Sequence, residues 1–255
     1  MILATWNVNS ISVRISQVVS WLQLHQPDVL CIQESKVEDS KFPIDSFRAI
    51  GYDAQFHGQK SYNGVAIISK HQIKDVEKRF RDTPEQDQAR FIRGTVGDTV
   101  ILNAYVPNGS VVGCDKYAYK LEWLKAFREY LDNNLSPAAS VLLCGDFNVA
   151  PEDRDVYNPE RVRGQILVSE QERESLAVVR NWGFIDSFRL HEQDPGHHTW
   201  WDYRVLGFKR KMGFRIDHIY VSESLAQKCK RVWIDIEPRK ADKPSDHTPV
   251  IGEFV

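Results

Sequence analysis

Five pairs of polar residues stand at the ends of, or inside, short apolar runs, and each pair contains a group able to ligate a metal or handle a proton. They are Asn7 with Asn9, Gln33 with Glu34, Asp146 with Asn148, Asp217 with His218, and Asp246 with His247. A single Asp at a strand end is an ordinary turn former or helix cap. Five such positions in one chain point instead to a shared site, because functional groups collect at strand ends in layered α/β folds. Carboxylate and amide oxygens are hard ligands that suit Mg²⁺ or Mn²⁺ better than zinc. The chain has no H-E-x-x-H, no G-x-x-x-x-G-K-[ST], no G-x-G-x-x-G and no G-x-S-x-G. Those absences remove the usual zinc-protease, nucleotide-cradle and serine-esterase signals. A hard cation with several acids and a histidine suits hydrolysis of a phosphate ester, where the metal offsets negative charge and a carboxylate activates water.

The elements that must position these groups are readable from periodicity. Ile2–Trp6 is a short strand running into Asn7. Ile11, Ile15, Val18, Val19 and Leu22 share one helical face, closed by Pro27. Val29–Ile32, Gly64–Ser69, Thr99–Val106, Ser140–Cys144 (cut by Gly145), Phe214–Val221, Val232–Ile236 and Thr248–Val255 read as strands. Lys116–Leu131 and Glu170–Trp182 read as helices, the first with Tyr117, Leu121, Leu124, Phe127 and Leu131 on one face. Polar stretches at 35–46, 81–90, 151–165 and 190–211 read as loops. Short neighbouring strands favour a mixed sheet over an all-parallel one, in a single α/β domain spanning 1–255.

Composition narrows the class further. The 255 residues carry 33 Lys+Arg against 35 Asp+Glu, a formal charge of −2. That balance argues against a simple cationic nucleic-acid binder, although an enzyme acting on nucleic acid depends on where its charges sit. Seven Trp, nine Tyr and twelve Phe supply ample surface to bury, which excludes disorder. Four cysteines form no C-x-x-C pair, and no apolar run approaches the ~20 residues of a membrane span. The N-terminus lacks a basic region followed by an apolar one, so a reduced cytoplasm is the expected setting.

Seven blocks at these same positions resemble a known family. They are Thr5–Asn9, Gln33–Lys36, Asn103–Gly109, Gly145–Pro151, Trp200–Arg204, Arg215–His218 and Pro244–Val250. In this order they resemble the exonuclease III branch of the AP endonuclease/exonuclease–endonuclease–phosphatase superfamily, across residues 5 to 250. The blocks G-D-F-N and S-D-H are shared by the wider superfamily. Y-V-P-N-G and W-x-D-Y-R ahead of R-I-D are the sharper ones, and they favour the DNA-repair branch.

The resemblance implies a four-layer αββα sandwich of two mixed β-sheets flanked by helices. It also implies Mg²⁺-dependent (or Mn²⁺-dependent) attack of water on a phosphodiester of double-stranded DNA, at abasic sites or 3′ ends, leaving a 3′-hydroxyl. Glu34 would be the principal metal ligand, with Asp246 and the Asn7/Asn9 pair near the ion and Asp146, Asn148 and His247 completing its surroundings. Asp146 would orient or deprotonate the water, and Asn148 would hold water or a phosphate oxygen. His247, oriented by Asp217, would contact a non-bridging oxygen, and Tyr105 would place its phenol on the phosphate. Asn108 would touch the DNA backbone. Trp200, Phe214 and Ile216 would form an apolar pocket for a base-free sugar, with Trp201 as a core neighbour.

DNA grip would come from Arg204, Lys209, Arg210, Lys211 and Arg215, together with Lys36, Lys60, Arg90, Arg161 and Arg163 in other loops. Two departures from the family stand out. Asn9 replaces the Asp of one branch. Ile166 and Leu167, within Arg161–Ser169, are bulky where relatives shape access to the scissile phosphate; a site narrowed there would favour 3′-terminal work over internal cutting, and the dominant activity stays open. The competing readings are a phosphatase of the same fold acting on a small or lipid phosphate, and a catalytically silent DNA-binding protein. No membrane partner is expected, and a monomer is the expected state.

Overall fold

The computed structural model describes residues 1–80 and 88–255, so part of the loop expected at 81–90 lies outside the described residues. In chain order the elements are β1 (Ile2–Asn7), α1 (Ile11–His25), β2 (Val29–Gln33), α2 (Ile44–Arg48), β3 (Asp53–His57), β4 (Val65–Ser69) and β5 (Ile73–Glu77). Next come β6 (Phe91–Val96), β7 (Thr99–Tyr105), α3 (Asp115–Asn134), β8 (Val141–Asp146), α4 (Pro159–Val162), α5 (Glu170–Arg180) and β9 (Ile185–Asp186). The chain finishes with β10 (Trp200–Trp201), β11 (Gly213–Phe214), β12 (Asp217–Val221), α6 (Glu223–Ala226), β13 (Cys229–Ile234) and β14 (Val250–Phe254).

Two six-stranded sheets form, in the orders β13-β14-β1-β2-β4-β3 and β5-β6-β7-β8-β12-β9. Each is mixed: β1 runs parallel to β2 and β7 parallel to β8, while the other pairings within these two sheets are antiparallel. The sheets pack face to face through Leu3, Val29, Cys31 and Ile67 of the first and Ile101, Leu142, Cys144 and Ile219 of the second. The outer face of the first sheet is covered by Val18, Trp21 and Leu22 of α1 and Phe47 of α2. That of the second is covered by Trp123, Leu124, Phe127 and Leu131 of α3 and Leu176 and Val179 of α5. The result is the expected four-layer α/β sandwich. Strands such as β2 and β4 are buried along their whole length, and apolar up to their last residue, because both of their faces are covered.

Several expectations are corrected. Gly145 does not cut its strand: β8 runs through it to Asp146, and a Cβ there would lie 1.9 Å from the Ala104 carbonyl oxygen. The glycine therefore lets β7 and β8 close up beside the site. Phe214–Val221 is not one strand. Gly213–Phe214 pairs with Trp200–Trp201 in a separate ribbon, because the Ile216 and Asp217 amides donate to Thr199 Oγ1 (3.0 and 3.1 Å) and Arg215 turns into a buried ion cluster. The loop expected at 35–46 holds the start of α2, that at 151–165 holds α4, and that at 190–211 holds β10. β3, β5, β6 and β9 are strands that periodicity does not predict.

Candidate active site

Register brings the chemistry to one edge of the sandwich. Asn7 at the end of β1 lies opposite Gln33 at the end of β2. In the other sheet Tyr105, Asp146 and Asp217 form one row across β7, β8 and β12. Beneath them a buried amide network ties the sheets together. Gln33 Nε2 donates to Asn103 Oδ1 at 2.7 Å and to Thr5 Oγ1 at 2.9 Å, and Asn103 Nδ2 donates to the Ile32 and Ala66 carbonyls at 2.9 Å each. Gln33 is expected only as the polar neighbour of Glu34, and Asn103 only as the first residue of the Asn103–Gly109 block. An amide inside a run of β-branched residues is the signal that marks Asn103, since a buried polar group requires partners.

Glu34, Asp146 and His247 offer ligand atoms that all lie within 4.8 Å of one another. Asn7 bridges the two acids, its Nδ2 donating to Glu34 Oε1 at 2.8 Å and Asp146 Oδ2 at 2.9 Å, while its Oδ1 accepts from the Asn9 amide at 3.0 Å. Asn7, expected as a metal ligand, thus turns its nitrogen to the acids and braces them. Asn148 behaves likewise. Its amide donates to Asp146 Oδ1 at 2.9 Å, its Nδ2 donates to Asp146 Oδ2 and the Val106 carbonyl, and its Oδ1 accepts from Asn108 Nδ2 at 2.9 Å. Asn148, expected beside the ion, here orients Asp146. Asp246 stands outside the three-residue cluster, accepting from Asn9 Nδ2 and Trp200 Nε1 at 2.9 Å each.

His247 Nδ1 lies 2.9 Å from Asp217 Oδ2, and its Nε2 lies 3.7 Å from Asp146 Oδ2. Burial opposes its charge, but the two carboxylates outweigh that and push its pKa up to about 10. Where no cation shields the carboxylates the ring favours its protonated, donating form, while it also offers one of the three ligand atoms gathered here, as expected. Burial drives Asp146 upward, the His247 charge pulls it back, and Asp217 adds to the rise. Asp146 and His247 titrate together, and the three N–H bonds that Asp146 accepts favour its ionised form.

Tyr105 is buried, and burial, reinforced by the Glu34 charge, holds its phenol well above its usual pKa. It remains a donor at neutral pH. For Glu34, burial is outweighed by Lys36 and by the Asn7 hydrogen bond, so its carboxyl stays low. Lys36, expected on the DNA face, reaches Glu34 Oε2 at 2.7 Å and Asn9 Oδ1 at 2.5 Å instead.

Trp200, Phe214 and Ile216 do meet, in an apolar cluster with Ala150, Val156 and Ile166. The Trp200 and Phe214 ring centroids are 5.6 Å apart, and Trp200 is 6.4 Å from the His247 ring. Trp201 is buried beside Phe208, as expected of a core neighbour. Arg204 is exposed and folds back on Asp202 at 2.7 Å. Arg215 cannot grip DNA: it is buried, held by Asp155 at 2.6 Å and Asp186 at 2.8 Å, and does not pair with Asp217. Lys60, Arg161, Arg163, Lys209, Arg210 and Lys211 are exposed, and Arg90 covers the Tyr105 ring at 4.6 Å.

Comparison with known proteins agrees with this geometry. Residues 4–247 match the model of the endonuclease/exonuclease/phosphatase family. The chain is 32% identical to exodeoxyribonuclease III of Haemophilus influenzae, covering 98% of both proteins. An AP endonuclease from Archaeoglobus fulgidus superposes with a TM-score of 0.94 at 39% identity, over 100% of this chain and 99% of the other. A 3′ phosphatase from Neisseria, solved with a product DNA hairpin, gives 0.95 at 39% identity over the same shares. With the strand-end acids, the Asp217–His247 pair and the apolar cluster in place, the chain belongs to the endonuclease/exonuclease/phosphatase family, within its branch of exodeoxyribonuclease III-like and AP endonuclease-like DNA repair nucleases.

Proposed function

We propose that the protein is a Mg²⁺- or Mn²⁺-dependent nuclease that hydrolyses phosphodiesters at abasic sites and 3′ ends of duplex DNA, leaving a 3′-hydroxyl. The carrying observation is the shared wall between the hydrolytic cluster and an apolar recess. Trp200 donates to Asp246 and lies against His247 while packing with Phe214 and Ile216. Such a recess suits a deoxyribose without its base, swung out of the duplex. Ile166 packs against the same cluster, and a bulky side chain there would favour 3′-terminal substrates over internal cutting. A monomer suffices, since one duplex is the substrate, and the cytoplasm is its expected setting. No helix among the described residues is long and apolar enough to cross a membrane.

Two carboxylates with amide neighbours suit a hard divalent cation, and Glu34 and Asp146, with Asp246 nearby, would hold it. Bound there, the cation would offset phosphate charge and lower the pKa of the attacking water. The side chains have separate tasks. Asp146, ionised and fixed by Asn7 and Asn148, orients the water and accepts its proton. His247 donates from Nε2 to a non-bridging oxygen, and Asp217 holds the ring by Nδ1. Tyr105 donates its phenolic hydrogen as charge builds on the phosphate.

Three duplexes test this reading: one with an internal abasic analogue, one with a recessed 3′-hydroxyl and one nicked with a 3′-phosphate, each with Mg²⁺ and with EDTA. Hydrolysis of the 3′-phosphate and abasic substrates in Mg²⁺, abolished by EDTA, is expected. Activity that survives EDTA on all three, or no activity in Mg²⁺, would remove the proposal.

A further inference from the structure

Behind the site lies a second set of buried charges that the reaction does not use. Lys120 of α3 and Glu172 of α5 are both fully buried and paired with each other. Lys120 Nζ also donates to the Asn148 carbonyl at 2.6 Å and the Asn108 carbonyl at 3.2 Å, so all three ammonium hydrogens are committed. Glu172 Oε1 accepts from the Leu167 amide at 3.1 Å, and its Oε2 accepts from the Ser169 amide at 3.1 Å and Ser169 Oγ at 2.6 Å. One ion pair thus ties together three loops: the one after β7 with Asn108, the one after β8 with Asn148, and the turn before α5 with Ile166 and Leu167. Packing alone does not call for it, since well-packed apolar residues generally replace a buried ion pair without loss of stability.

We propose that Lys120 and Glu172 are a positioning pair for Asp146 that acts through Asn148. Lys120 holds the Asn148 backbone by its carbonyl. The Asn148 amide and side chain in turn hold both oxygens of Asp146, and Asn108 clamps the Asn148 side chain from the other loop. The pair touches neither Glu34 nor His247, so its effect on turnover passes along this chain of contacts or through the Lys120 charge that Asp146 feels directly, and a double-mutant cycle separates the two. The inference rests on the role given to Asp146 above.

The test is a double-mutant cycle on the 3′-phosphate nick with Mg²⁺, at a temperature where every variant is folded. Lys120→Met/Glu172→Leu removes both charges together and leaves neither stranded. In the otherwise native enzyme it is expected to lower kcat about tenfold with KM within about twofold. In an Asn148→Ala background, which keeps the backbone amide on Asp146 but loses the side-chain hydrogen bond, the loss should shrink to about threefold or less. Equal losses in both backgrounds, or no loss in the native one, would overturn the proposal. If the double variant does not fold, Glu172→Gln, which keeps the shape and removes only the charge, goes through the same cycle. A loss clearly larger in the native background than in Asn148→Ala then supports the pair's role, and equal losses or none overturn it. Full activity of Asp146→Asn would instead count against the proposed role of Asp146, and so against the reading beneath this one.

Discussion

Asn7 carries no charge, yet its one amide nitrogen keeps two carboxylates apart and correctly turned. Asn148 does the same for Asp146 from the other side. Residue types at strand ends are legible in the sequence as a cluster of hard ligands. Which atom of each amide faces the cluster is not, because that depends on backbone partners such as the Asn9 amide and the Val106 carbonyl. Lys36 and Arg215 depart from expectation for a related reason. A cation in a loop looks like surface until its acid partner is known, and both partners come from distant parts of the fold or from the site itself. Trp200 gives a prediction at this scale. Trp200→Ala should lower kcat/KM on the abasic duplex by about tenfold more than on the 3′-phosphate nick, the usual cost of a lost apolar contact in a specificity pocket. Equal losses on the two substrates would mean that Trp200 serves only to hold Asp246.

Among the elements, those buried on both faces or on one clear stripe are legible in the sequence, and half-exposed ones are not. β2 and β4 announce themselves as unbroken apolar runs, whereas β3 and β5 sit near sheet edges with exposed residues and lack that signature. α3 carries a subtler lesson. Lys120 falls on the stripe formed by Tyr117, Leu124, Phe127 and Leu131, where a charge implies a buried partner. β12 owes its start to a buried cluster in which Arg215 Nη1 donates to His218 Nδ1 at 3.0 Å and His218 Nε2 donates to the Val149 carbonyl at 3.1 Å. Burial, with the Arg215 charge behind it, drives the His218 pKa down to about 3. Below about pH 6.5 the unfolded chain therefore takes up a proton that the folded protein refuses. The consequent loss of stability grows as pH falls from 6.5 toward 3, by at most about 1.4 kcal/mol per pH unit for this site. Thermal unfolding in EDTA should show the wild type losing stability relative to His218→Asn across that window. Parallel Tm curves for the two proteins would show that His218 is charged in the fold.

For the molecule as a whole, the formal charge of −2 hides a division of labour. Glu34, Asp146, Asp217 and Asp246 are gathered at one edge of the sandwich. Lys60, Arg161, Arg163, Lys209, Arg210 and Lys211 stay exposed in loops. An acidic pit repels a phosphodiester until a cation is bound, and exposed loop cations supply the attraction. DNA affinity should therefore fall with salt at a log–log slope of about −0.9 for each phosphate neutralised, and Lys209→Ala with Lys211→Ala should flatten that slope. A slope unchanged by both substitutions would place the grip elsewhere. The central claim, though, is that hydrolysis runs through the ionised Asp146 held by Asn7, Asn148 and the charge of His247. The most direct measurement is single-turnover hydrolysis of the 3′-phosphate nick by Asp146→Asn in Mg²⁺, alongside its affinity for the same DNA. The expected rate is lower by at least about 10²-fold, with affinity largely intact. A rate equal to that of the wild type would contradict the claim.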